Sequence, residues 1–216
     1  LYTSGSTGLP KGVPLTHGGY VWATGATPEQ RPVIEGRKVI IAAPLFHMNG
    51  LFSAKMVMIN GGISDVIANM AAVNAGTMTT EQMITASRQA GTDFAAQIRR
   101  LVNAGAKYVV VAGTYDLSKT PWATDIGRTT VLNSASSAFN EGLLVGIVDL
   151  GANVLYVDLA YYVNLYTSSP SAYGFENATK AVCTSVDATD GIGIGAGKVN
   201  SALCTTSTLL ASANQD

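Results

Sequence analysis

The feature of this sequence that most constrains its fold is an order of helix, glycine and strand that occurs twice in succession. Residues 81–104 place apolar and charged side chains on opposite faces of a helix, a glycine ends it, and residues 107–112 form a continuous apolar strand. Residues 129–150, a glycine and residues 153–158 repeat that order. Continuous apolar strands are typical of parallel sheets that are buried on both faces. The pattern therefore predicts βαβ units in an α/β fold with a mainly parallel sheet.

Each of the two predicted helices has one apolar face that we expect in the core. The faces consist of Ala90, Phe94, Ile98, Leu101 and Val102 in the first helix, and of Leu132, Ala135, Phe139, Leu143 and Leu150 in the second. Residues 183–212 are rich in Gly, Ser, Thr and Ala, and they predict loop or weak edge structure.

Charge is distributed unevenly along the chain. Residues 1–60 carry five Lys or Arg against two Asp or Glu, whereas residues 61–216 carry eight against twelve. This difference predicts two unlike segments, 1–60 and 61–216.

The net charge of −1 does not favour nucleic acid as a partner. No apolar run reaches the roughly 18 residues of a membrane span, so no transmembrane segment is predicted.

The chain begins with a loop rich in glycine and hydroxyl residues, LYTSGSTGLPKGVPLTH. Glycines let backbone amides approach an anion, hydroxyls add donors, and a lysine supplies a charge suited to polyphosphate. The residues that would serve this purpose are Thr3, Ser4, Gly5, Ser6, Thr7, Gly8 and Lys11. The loop therefore predicts a phosphate-binding site, and a flexible polar terminus is the alternative interpretation.

The segment YTSGSTGLPKGV resembles the phosphate-binding signature of the AMP-forming acyl-activating family, which includes the acyl-CoA synthetases. Residues 43–51, APLFHMNGL, resemble the next motif of that family at its usual separation. The resemblance implies ATP and magnesium at the opening loop and places His47 near the acyl group. A core histidine is the alternative for His47. Beyond about residue 60 we find no Tyr-Gly-x-Thr-Glu motif, ribose-binding Asp or C-terminal catalytic Lys, so this chain is not expected to complete an adenylation site.

Residues 61–216 resemble a different family, the secreted GDSL (SGNH) esterases and lipases. The resemblance rests on residues 65–79, 101–111, 115–121, 139–141, 153–158 and 173–177, on Cys183, and on the spacing between them. It implies a three-layer, flavodoxin-like α/β sandwich, incomplete in this chain. It also implies a small-molecule acyl ester or lipid as substrate, no cofactor, and a secreted or periplasmic location. The acyl-activating alternative implies the cytoplasm.

The catalytic groups of an SGNH esterase are a serine activated by histidine and aspartate, with Gly and Asn as oxyanion donors. No Gly-Asp-Ser motif occurs, and the oxyanion segment has Gly62 and Ser64, with serine in place of asparagine. Ser4 and Ser6 are the serines that could stand in as nucleophile, although ordinary turn hydroxyls explain them as well. The sequence ends at Asp216, where we expect the Asp-x-x-His motif to follow in a longer protein.

The two cysteines, Cys183 and Cys204, lie close together in sequence. Their spacing alone is compatible with a disulfide, which would indicate an oxidising compartment, or with two buried thiols. The GDSL resemblance implies the disulfide. No metal site is predicted.

The function predicted first is that of a serine ester hydrolase whose triad is absent and which is inactive as this chain. A fragment of an ATP-dependent, AMP-forming acyl-activating ligase is the alternative, and a non-catalytic fusion or artificial α/β protein is a second one. Because the sequence opens inside a motif rather than with Met, we expect it to be part of something longer.

Overall fold

The computed structural model describes residues 2–4, 10–12 and 57–210 of the 216-residue chain. The chain divides into two compact units, Leu1–Val57 and Met58–Asp216. In the first unit, β1 (Tyr2–Ser4) and β2 (Pro10–Gly12) pair in antiparallel fashion.

The second unit alternates strands and helices, as the sequence predicts. Its strands and helices are β3 (Val57–Asn60, which begins at the unit boundary), α1 (Ile63–Asn74), α2 (Thr80–Asn103), β4 (Val109–Ala112), α3 (Pro121–Asp125), α4 (Thr129–Ile147), β5 (Val154–Val157) and α5 (Leu159–Ser168). Short 3-10 helices cover Leu117–Lys119, Val148–Leu150, Pro170–Tyr173 and Ser201–Leu203. The strands form a sheet in the order β3-β4-β5, and β4 and β5 run parallel with Val109 opposite Val154. The predicted α/β class with a parallel sheet is confirmed.

Local side-chain chemistry fixes where the helices begin. The hydroxyl of Thr79 accepts a hydrogen bond from the Gln82 amide, and the Gln82 side chain accepts one from the Thr79 amide, at 3.2 and 2.8 Å. This reciprocal capping box satisfies amides that have no partner within the helix. Asp158 caps α5 by accepting a bond of 2.9 Å from the Tyr161 amide. Capping side chains therefore determine where both helices start, Thr79 with Gln82 for α2 and Asp158 for α5.

Small residues bring α2 and α4 into unusually close contact. A Cβ atom added to Gly91 would lie 2.0 Å from the carbonyl oxygen of Phe139, and one added to Gly142 would lie 2.2 Å from that of Arg88. A Cβ at Gly146 would lie 2.4 Å from the Ala95 methyl group. No side chain fits at these distances. The backbones of α2 and α4 therefore approach each other closely at Gly91, Gly142 and Gly146.

The core is built from the apolar faces of α1, α2 and α4. All five residues of the predicted face on α4 and its following turn are buried, which confirms that prediction. On α2 the predicted face is partly confirmed: Ile98 is buried and the other four residues are half-buried. The fully buried residues of α2 are Met83, Ser87, Gly91, Ala95 and Ile98. Three of these five are small, and they are buried by the close approach of α4 rather than by hydrophobicity.

The sheet is covered on one side in the described part of the chain. Val109 and Val111 of β4 are buried, whereas Leu155 of β5, which lies opposite the half-buried Val110, is 63% exposed. Residues directly opposite in a sheet project to the same face. One face therefore packs into the core and the other presents apolar side chains, as in an incomplete form of the expected sandwich.

The C-terminal segment has little regular structure. It holds the isolated bridges Cys183–Leu209 and Val186–Val199, and the prediction of loop or weak edge structure is confirmed. Cys183 and Cys204 form a disulfide with their Cα atoms 5.9 Å apart, which confirms the pairing. Among the residues that the structure describes, no helix is both long enough and apolar enough to cross a membrane.

Candidate functional site

The opening loop is carried by the β1–β2 hairpin. Thr3 lies opposite Lys11, and Ser4 lies opposite Pro10. Residues 5–9 connect the two strands, so the backbone pairing joins both ends of the glycine- and hydroxyl-rich segment. Two residues predicted to bind phosphate, Thr3 and Lys11, are therefore register partners. The two residues are eight positions apart in sequence, and the sequence alone does not predict that they pair.

Several other predicted site residues fall outside the described residues. They are Gly5, Ser6, Thr7, Gly8 and His47. Their assignment to a phosphate site, and that of His47 to an acyl pocket, stays a prediction from sequence.

The second unit brings polar residues together at the carboxyl end of its sheet. β3 is followed by Gly61 and Gly62, and β4 by a turn that includes Thr114 and Asp116. The Gly61 amide donates to the carbonyl of Ala112 at 3.3 Å, which holds the two turns side by side. In parallel α/β sheets this edge is where ligands generally bind.

The polar groups after β4 are occupied by contacts with α4. The side chain of Asn140 donates to the Thr114 carbonyl at 2.8 Å and accepts from the Thr114 amide at 3.0 Å. Asp116 is nearly buried and accepts bonds from the Ser118 amide and the Asn133 side chain, at 3.0 and 2.9 Å. These groups fix the turn and leave its buried polar atoms satisfied. They act as supports of the fold, and the interpretation from sequence did not identify them.

Gly62 and Ser64 open α1. Gly62 is buried with a φ of 105°, a conformation that favours glycine, and a Cβ there would lie 2.7 Å from the Phe139 ring. Its carbonyl accepts from the Val66 amide at 3.0 Å, and Ser64 is exposed in the first turn of the helix. The close packing against Phe139 is enough to explain the glycine at this position, and no catalytic role is needed to account for it.

Metal binding has no obvious support in the described residues. Within 57–210 and the two short strands, no group of three or more His, Cys, Asp or Glu side chains is placed to hold an ion.

The first part of the chain is similar to known proteins. Residues 1–91 match the AMP-binding enzyme family. The chain is similar to a feruloyl-CoA synthase of Amycolatopsis sp, with 43% identity over 51 residues, which is 24% of this chain and 10% of that protein. It is also similar to a 2-succinylbenzoate–CoA ligase of Bacillus subtilis (strain 168), with 41% identity over 51 residues and the same coverages of 24% and 10%. The corresponding ligase of Geobacillus kaustophilus (strain HTA426) is 39% identical over 61 residues, 28% of this chain and 12% of that protein. The chain thus spans about a tenth of the length of these relatives.

These matches support the acyl-activating resemblance and correct the main functional prediction. The prediction of a serine ester hydrolase is wrong, because the matches are to AMP-binding enzymes and CoA ligases, and the ATP-using alternative fits them better. Nothing in the comparisons supports a GDSL or SGNH relationship for residues 61–216. The oxyanion role of Gly62 and Ser64 was part of that esterase interpretation, and it stays an untested prediction from sequence.

Proposed function

We propose that the N-terminal segment is the phosphate-binding part of an ATP-dependent, AMP-forming acyl-activating ligase. The observation that carries the proposal is the hairpin register, in which Lys11 lies opposite Thr3 at the base of the glycine-rich connection. The match of residues 1–91 to AMP-binding enzymes and the similarity to two kinds of CoA ligase support it.

The proposed role of the segment is to hold the polyphosphate of ATP. Backbone amides of a glycine-rich turn form a concavity that suits anions, and hydroxyl groups add neutral donors. The ammonium group of Lys11 would contribute a charge-assisted hydrogen bond to a phosphate oxygen. A carboxylic acid is the substrate class that the CoA-ligase relatives suggest, and His47 is the residue proposed to lie near it.

Binding of nucleotide to the full chain tests the proposal. We expect MgATP and tripolyphosphate to bind with a Kd of about 1 mM or lower, and Lys11→Met to weaken both by about tenfold. The matched control is Lys107→Met, which removes an exposed lysine next to β4 and leaves the loop intact. Isothermal titration calorimetry gives both values.

The outcomes separate the proposal from non-specific charge effects. Equal weakening by Lys11→Met and Lys107→Met would contradict it, as would the absence of saturable binding.

Turnover is a separate question. Because no counterpart of the family's catalytic Lys is found in this sequence, we expect little ATP–pyrophosphate exchange from this chain alone.

The cellular compartment is a separate proposal. Disulfides persist in oxidising compartments and are rare in the cytosol. The disulfide favours an oxidising location, whereas the acyl-activating resemblance implies the cytoplasm. We propose the oxidising location for chains in which Cys183 and Cys204 are bonded. Mass spectrometry of the alkylated protein from its native source would decide, since cysteines recovered as free thiols would favour the cytoplasm.

A further inference from the structure

A pocket of about 610 Å³ lies in the second unit between α1, the 3-10 turn before α3 and the C-terminal segment. Apolar side chains dominate its lining, with Ile63 and Ile67 from α1 and Ile192 and Ile194 from the C-terminal segment. Its volume falls within the range of small-molecule sites, which is about 300–1,000 Å³. None of the residues discussed above as a phosphate or acyl site contributes to it.

The walls of this pocket are held in place by covalent and polar contacts. The indole N–H of Trp122 donates to the Ile194 carbonyl at 2.9 Å, so the polar atom of the ring is satisfied within the wall. Cys183 lines the pocket, and its disulfide to Cys204 crosslinks two parts of the C-terminal segment. Ile67 and Ile194 also belong to the main core cluster. The cavity is therefore preorganised, which lowers the entropy lost on binding.

The ionisable side chains of the lining leave an excess of positive charge. Lys198 pairs with Asp125 at 2.7 Å, and within residues 58–210 no carboxylate forms an ion pair with Lys180. The lining therefore contains two lysines and one aspartate. Tyr115 adds a phenol whose pKa is raised by burial, so that it stays a neutral donor. This arrangement suits an anion and disfavours a cation.

We propose that this pocket binds a small monocarboxylic acid with a compact apolar body, its carboxylate next to Lys180 and its body between the isoleucines of α1 and those of the C-terminal segment. The apolar lining supplies affinity and the unbalanced ammonium group supplies selectivity for the acid over neutral or basic analogues. The site is independent of the proposed nucleotide function, since its residues lie in the other unit.

A series of three probes with one shape tests the charge preference. The probes are adamantane-1-carboxylate, 1-adamantanemethanol and 1-adamantylamine, none of which absorbs where tryptophan is excited. In a Trp22→Phe background, Trp122 is the only tryptophan and reports on the pocket directly. We expect the carboxylate to shift its emission saturably with a Kd of about 1 mM or lower. The alcohol and the amine should bind about threefold to tenfold more weakly, since the ion pair is partly exposed to solvent.

Two variants make the result specific to this site. Lys180→Met should reduce the affinity for the carboxylate to that for the alcohol, whereas Lys107→Met should change neither. Val199→Trp, which adds bulk to the lining, should weaken all three probes, with calorimetry as the readout because it adds a tryptophan. Equal affinities for acid and amine, or an unchanged acid preference in Lys180→Met, would overturn the proposal. So would the absence of saturable binding in a protein that melts cooperatively. None of these outcomes depends on Lys11, so failure here leaves the nucleotide proposal unaffected.

Discussion

Replacing Gly142 by alanine tests the close contact between α2 and α4. A Cβ at Gly142 would lie 2.2 Å from the carbonyl oxygen of Arg88, which is a backbone atom and cannot rotate away. Ordinary contact begins at about 3.4 Å, so the helices would have to move apart locally by about 1 Å. A gap of this size removes about a quarter to a half of the dispersion energy of each affected contact.

The net effect follows from two opposing terms. Overpacking of a well-packed contact costs about 1–3 kcal/mol. Alanine is a better helix former than glycine, which offsets up to about 1 kcal/mol. We therefore expect Gly142→Ala to lower the free energy of unfolding by about 1–2 kcal/mol, with steric separation outweighing helix propensity.

Urea denaturation followed by far-UV circular dichroism measures this change. The matched control is Gly151→Ala, because Gly151 has a φ of −56° and no atom within 4 Å of an added Cβ. That variant should be neutral or more stable by up to about 1 kcal/mol, through a less flexible unfolded chain. If both variants have the same midpoint at the same m value, the close approach of the two helices is refuted.

Two further predictions concern the C-terminal segment. Cys204→Ser removes a crosslink between residues 21 apart and should cost about 3 kcal/mol of stability in urea denaturation; a wild type insensitive to reductant would contradict this. The pKa of Asp187 is lowered from its ordinary value of 3.8 by hydrogen bonds from the Thr189 amide and hydroxyl and from Asn200. Because its pKa is lower in the folded state, this carboxylate stabilises the fold above the unfolded value, and the contribution disappears as pH falls through the folded pKa. Asp187→Asn should therefore flatten the decline of Tm below about pH 4, and identical acid profiles would argue against it.

The sequence predicts the long helices well because their polar and apolar periodicity is strong. The helix expected over 81–104 is observed as Thr80–Asn103, and that over 129–150 as Thr129–Ile147 followed by a 3-10 turn. Hydropathy cannot identify the buried face of α2, because Ser87, Gly91 and Ala95 are buried through their small size. Only the partner helix, with Gly142 and Gly146, makes that face an interface.

Other elements have weaker local signals. α1 and α5 were not predicted as helices, since α1 follows a Gly-Gly pair and α5 has no buried residue to mark a core face. The phosphate loop, by contrast, has a strong sequence signal, because its residue order predicts a ligand. Most of its residues lie outside the described part of the chain. The apolar pocket went unnoticed because its walls come from segments more than 100 residues apart, Ile63 and Lys198 among them.

The shortness of the β1–β2 hairpin has a consequence for any affinity measured at the opening loop. Its ladder holds three residue pairs, and Pro10 has no N–H to contribute to it. A two-stranded hairpin contributes little stability of its own, so any open conformation of the segment competes with the paired register. The apparent Kd for a phosphate ligand is then the intrinsic Kd divided by the population of the paired register. A substitution that strengthens strand pairing should tighten binding without touching the ligand, and a bound polyphosphate should in turn stabilise the hairpin.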